Sequence, residues 1–203
     1  MRFSVALVFT FAALVVTDLG VIAAPVQGNE TIAHPRAVPT LVTRGGAQSK
    51  IVADLDKSKK CPTLKETLSI AHQLNGDLTN ALFYSRVSLP TVQTVRSHYR
   101  KKYLQDVFPS QVFSLIRELC GHAAPHSTQD PLMLMSRAMA GIASGEAWVL
   151  GSKDSVTAGT VEQDGGPYFK AEIDMMRLYK RVHTLRTFYW DGRQLKEGHP
   201  IRL

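Results

Sequence analysis

Apolar positions recur at helical spacing through the middle of the chain and alternate near its end. After Pro62, Leu64, Leu68, Ile70-Ala71 and Leu74 form one stripe, Thr63 and Glu66 make a capping box, and Gly76 is the stop, so a helix is expected. Asn80 to Ser88 is aromatic and β-branched and reads as a strand. Residues 90–108 place Val92, Val95, Tyr99, Tyr103 and Phe108 at helical spacing. Pro109 opens a further helix with Val112, Leu115-Ile116 and Leu119 on one face and Gly121 as its stop. Asp130-Pro131 starts another, running to Gly145.

Beyond Gly145 the period changes. Glu146 to Ser152 reads as a short strand, residues 153–166 as a loop, and residues 167–181 as a strand turning into a helix. Val182 to Trp190 alternates like a strand, Asp191-Gly192 is a hairpin turn, and Arg193 to Leu195 is the return strand. The expected class is α+β, with a helical first half packed on a small, mostly antiparallel sheet from the C-terminal third.

The N-terminus carries a different pattern. Arg2 precedes an apolar run from Phe3 to Val16, and Val21 and Ala23 suit a cleavage site, which is the build of a secretory signal peptide over 1–23. The run is too short for a membrane span. Residues 24–60 are rich in Pro, Gly, Thr and Ala and read as a flexible polar leader, with a candidate strand at Thr40–Thr43. Residues 61–203 then form a single globular domain. The leader holds a glycosylation sequon at Asn29. In a secreted chain, Cys61 and Cys120 favour a disulfide over two buried thiols.

The net charge is +7, and removing the signal peptide takes away Arg2 and Asp18 and leaves it unchanged. Such a surface suits acidic partners. The charges are spread along the chain except in Arg96 to Tyr103, where Arg96, Arg100, Lys101 and Lys102 form a basic patch or, more simply, a solvated helix face. Nucleic acid is not the expected partner.

Motifs for chemistry are weak. In Ser144 to Gly159, five residues separate Gly145 from Gly151, Ser152-Lys153 is in reversed order, and the apolar Ala147 to Leu150 would have to wrap the anion, so a phosphate loop is rejected. His122 and His126 have the spacing of a metal pair, but Pro125 breaks the helix that would align them. No metal and no cofactor are expected. An arrangement like that of ADP-ribosyltransferase toxins could be mimicked by Arg44, Ser85 or Ser88, and Glu172, but the glutamate lacks its partner two residues earlier, where Lys170 stands. Met133, Met135, Met139, Met175 and Met176 suit core packing better than an adaptable surface.

A signal peptide, a polar leader and a small basic domain with few cysteines resemble secreted fungal effectors. Over roughly residues 130–195, the runs from Leu132 to Val156, Pro167 to Met176 and Val182 to Gly192 are similar to the C-terminal half of the Tin-type effectors of smut fungi. That resemblance implies a virulence protein of a plant pathogen that passes into host cytoplasm and binds a host protein, with a protein kinase as one candidate, without catalysis. The expected anchors are Phe188, Tyr189, Trp190 and Arg193, because binding hot spots favour aromatics and arginine. Two other readings stay open: an enzyme on a degenerate transferase-like scaffold, and a cationic wall- or polyanion-binding protein.

Overall fold

The computed structural model describes residues 44–121 and 123–203. The signal-peptide pattern, Asn29, the Thr40–Thr43 segment and His122 lie outside the described residues. Nine helices and four strands follow in the described chain: α1 (Arg44–Ser58), α2 (Leu64–Asn75), β1 (Leu82–Tyr84), α3 (Leu89–Tyr99), α4 (Leu104–Val107), α5 (Ser110–Leu119), α6 (Pro131–Ile142), β2 (Gly145–Leu150), α7 (Lys153–Ala158), α8 (Val161–Asp164), α9 (Pro167–Tyr179), β3 (Val182–Trp190) and β4 (Leu195–Glu197). The α+β class is as expected.

The packed part begins earlier than composition predicts, because α1 belongs to it. Its sequence is mostly polar, but Ile51 and Leu55, one turn apart, are both buried in the main core, and α1 lies against α5 and α2. Two buried aliphatics suffice once a groove is available to receive them. Helix α2 has the expected cap: the Thr63 hydroxyl accepts from Glu66 N–H, and Glu66 accepts from Thr63 N–H at 2.7 Å. The helix expected over 90–108 is broken. Arg100 adopts a left-handed conformation (φ 52°), and α4 starts only after Tyr103. Residues 153–166 hold two short helices instead of a loop, the first capped by the Ser152 hydroxyl, and 167–179 is helical throughout.

The sheet is mostly parallel, which corrects the antiparallel expectation. Its order is β1-β2-β3-β4, and the first two pairings are parallel while only β3–β4 is antiparallel. The cause is connectivity. Helices α3 to α6 lie between β1 and β2, and α7 to α9 lie between β2 and β3, and long helical crossovers return the chain in the same direction. A turn over residues 191–194 gives the one antiparallel strand pair and starts the return strand at Leu195 instead of Arg193, with the Asp191 carboxylate accepting from Arg193 and Gln194 N–H.

Side chains on one sheet face, including Phe83, Ala147, Val149 and Leu185, join the main core with α1, α2, α5, α6 and α9. On the opposite face Leu82, Leu150 and Phe188 meet Val92 and Val95 of α3 and Tyr103 in a second, smaller cluster. Gly198 lets the return segment pass over α7: a Cβ there would stand 2.7 Å from the Val156 carbonyl oxygen and 2.3 Å from Val156 Cγ1. Cys61 and Cys120 are bonded, with Cα atoms 4.7 Å apart, and tie the start of α2 to the end of α5.

Two outcomes follow. The Cys61→Ser/Cys120→Ser variant should lose about 2–4 kcal/mol of unfolding free energy in urea titrations, since the crosslink constrains a long loop of the unfolded chain. Gly198→Ala should lower stability by at least about 1 kcal/mol in the same measurement, because the clash is with backbone that cannot turn aside.

Candidate functional site

The sheet's second face is covered by α3 on the β1 side. Toward β3 and β4 its row of aromatic and charged side chains is only partly covered. Alternation along β2 and β3 places Glu146, Trp148, Arg186, Phe188 and Trp190 on this face, and the register brings Trp148 beside Arg186 and Trp190 beside Leu195. The Trp148 and Phe188 ring centroids lie 4.4 Å apart, and Tyr99 of α3 stands 5.5 Å from Trp148. The Arg186 guanidinium lies 5.1 Å from the Phe188 centroid and pairs through two 2.6 Å bonds with Glu197. Glu146 accepts from Trp148 Nε1 at 2.6 Å and faces Arg186 at 3.5 Å. These bonds hold the Glu146 and Glu197 carboxyls below their usual range and raise Arg186, whose shift comes first from Glu197.

The four basic residues singled out in the sequence come together. Arg96, Arg100, Lys101 and Lys102 line one open groove of about 600 Å³ at the junction of α1, α3 and α4. The break after α3 is what gathers them, because a continuous helix would spread them around its circumference. They are not equivalent. Arg96 is bonded to Asp106, which raises it. The Lys101 ammonium sits 3.8 Å from the centre of the Trp148 ring, half-buried, and the loss of solvent lowers its pKa. Lys101 therefore joins the groove to the aromatic row, so the two form one continuous surface.

The four C-terminal anchors separate. Phe188 is only 5% exposed and belongs to the second core cluster, so it supports the surface and is not available as an anchor. Tyr189 points to the opposite face and packs on the main core while remaining half-buried. Trp190 is half-buried on the same face as Trp148, and Arg193 is exposed in the β3–β4 turn. Trp148 and Arg186 were missed by sequence reasoning. Their signal was the alternation of β2 and β3, but which face would be left partly uncovered depended on where α3 lay.

The transferase-like triplet does not assemble as expected. Arg44 opens helix α1 instead of lying on a strand, Ser85 follows a three-residue strand, Ser88 stands just before α3 with its hydroxyl on that of Thr91, and Glu172 lies within α9. Glu172 is nonetheless the most perturbed carboxyl described. It is 7% exposed, and burial pushes its pKa up to about 8, with a hydrogen bond from Ser136 acting in the opposite direction. Beside it, burial and then Glu172 raise the Tyr84 hydroxyl. Tyr168 donates to Asp130 at 2.8 Å, and burial followed by that carboxylate pushes it up to about 12. Among the described residues no group of His, Cys, Asp or Glu is placed to hold a metal ion, and no helix is long and apolar enough to cross a membrane.

The raised Glu172 pKa sets the sign of a pH effect. A carboxyl that binds its proton more tightly when folded stabilises fully below its ordinary pKa, and that contribution is lost as pH climbs toward about 8. Glu172→Gln should therefore match the natural protein near pH 4.5 and exceed it at pH 8 by about 4 kcal/mol in urea titrations, at about 1.4 kcal/mol per pH unit. Compared with protein-family models, curated proteins and solved structures, the chain matches none.

Proposed function

We propose that this chain is a secreted binding protein of the effector type, which acts by docking on an acidic surface of a host protein and not by catalysis. The observation that carries the reading is the continuous surface running from the basic groove through Lys101 and Trp148 to Arg186 and Trp190. Tryptophan, tyrosine and arginine are the residues that dominate binding energy at protein interfaces. Their side chains here are held by cross-strand pairs, so little conformational entropy remains to be lost on docking. The disulfide is consistent with an oxidising compartment.

A protein partner is favoured over a polyanion by how the cations are engaged. Arg96 is bound to Asp106, Lys101 lies on an aromatic ring and Arg186 is clamped by two carboxylates. Groups engaged in this way orient a defined interface better than they neutralise a run of phosphates. A protein kinase remains the partner class that the effector resemblance puts forward.

Affinity capture from host lysate with the mature chain, residues 24–203, at low and high salt tests the reading. A salt-resistant protein partner is expected. Trp190→Ala should weaken its binding by about tenfold or more. Arg100→Glu/Lys102→Glu should weaken it chiefly by slowing association at low salt. Leu178→Ala, at a residue 71% exposed on α9, should leave it unchanged. Capture of mixed anionic material that salt releases would instead mark a polyanion binder.

A further inference from the structure

Glu172 does not lie in closed packing. It lines a pocket of about 150 Å³ between β1, α4, α6 and α9. Leu82, Phe83, Ser136 and Met139 are buried around it, while Tyr84, Leu104, Leu132 and Tyr168 are half-buried at the mouth. A cavity of about this volume holds a molecule the size of benzene. The walls are hydrocarbon or aromatic, and no Lys, Arg or His is among the lining residues. An acid has thus been taken out of water without a basic partner, so its charged form is costly here until a cation arrives to pair with it.

The surroundings specify what that would be. Phe83, Tyr84 and Tyr168 bring three rings to the pocket, and ring faces attract cations. Asp130, the N-cap of α6, holds the Tyr168 hydroxyl and adds negative potential at the mouth. Leu82, Leu104, Leu132 and Met139 would cover a short alkyl chain. We propose that this pocket binds an alkylammonium group, carried either by a small primary amine or by a lysine side chain of a docked protein.

Binding exchanges a proton for an ion pair. The Glu172 carboxyl releases its proton to solvent, the ammonium keeps all three of its own, and carboxylate and ammonium pair, with the Ser136 hydroxyl donating to the carboxylate. One proton leaves for each ammonium bound. The other lining residues bring no group that titrates in the relevant range: Tyr84 from β1 and Tyr168 from α9 are both raised, α6 presents Ser136 and Met139, and α4 presents Leu104, while the His126 ring packs on Tyr168 at 4.8 Å from outside the lining. Asp130 is held below its usual range, burial being outweighed by bonds from His126 N–H, Tyr168 and its own helix, and so stays ionised. Affinity for an ammonium should accordingly rise with pH and level off only above about pH 8, once Glu172 is ionised in the free protein.

Titration calorimetry on the full-length protein, with n-butylammonium, n-butanol and butyrate, tests this. Butylammonium is expected to bind best, with affinity rising about tenfold from pH 6 to pH 7 and with about one proton released at pH 6, read from two buffers of different ionisation enthalpy. Glu172→Gln should weaken butylammonium by about tenfold or more while leaving butanol unchanged, its fold checked by the urea titration that should find it more stable at pH 8. Nα-acetyl-lysine methylamide separates the sources: binding tighter than butylammonium assigns the pocket to a partner's lysine, and weaker binding assigns it to a free amine. Equal binding of butanol and butylammonium, unchanged butylammonium binding by Glu172→Gln, or no binding of either amine would overturn the proposal. None of these outcomes bears on the docking surface, which lies on other residues.

Discussion

Helix α6 is buried on nearly every side, and the rest of the fold is arranged around that constraint. Nine of its twelve residues, from Met133 to Ile142, are inaccessible. A helix that is apolar all round has no stable surface position and must be enclosed. Here α2, α4, α5 and α9 enclose it, with the sheet contributing Phe83, Ala147 and Val149 to the same core. The methionines belong to this enclosure: Met133, Met135 and Met139 of α6 and Met175 and Met176 of α9 are all buried. Unbranched, adaptable side chains suit a helix that must be filled around on all sides.

That enclosure also explains one buried polar pair. Ser136 is a polar position within the buried length of α6, and Glu172 is its counterpart on α9. Wherever α6 and α9 pack, a hydroxyl and a carboxyl are brought together out of water. Neither residue alone announces this. A serine in an apolar helix is common, and a glutamate in a helix normally faces solvent. The pocket arises because two separate helices turn these residues toward the same place beside the short strand β1.

The outer surface follows a different logic. Strands β2 and β3 are buried on one face, while the other face is shared between α3 and a partly covered row of aromatic and charged side chains. The row stays ordered because each cation in it has a partner: Arg186 with Glu197 and Glu146, and Lys101 with the Trp148 ring. A high count of basic residues therefore becomes a patterned surface instead of a diffuse field. The groove formed by Arg96, Arg100, Lys101 and Lys102 depends on a single backbone event, the left-handed turn at Arg100. Non-glycine residues adopt that conformation sparingly, so the helical spacing of residues 90–108 gave no hint of it.

Local signals determined much of the secondary structure. The Thr63–Glu66 box, the Asp130-Pro131 start, the alternation from Val182 to Trp190 and the Asp191-Gly192 turn each act over a few residues, and each is seen where the sequence places it. The cysteine pairing was legible too, since two cysteines allow one bond. What lay beyond local reach was decided by tertiary contacts. Helix α1 exists because Ile51 and Leu55 find a groove made by α2 and α5. The parallel sheet exists because helices fill the connections between its strands. Trp148 and Arg186 became surface, and Phe188 became core, because α3 covers one part of a sheet face and leaves another only partly covered. Burial is a property of the whole assembly, and periodicity within one segment can say which residues share a face but not what that face will meet.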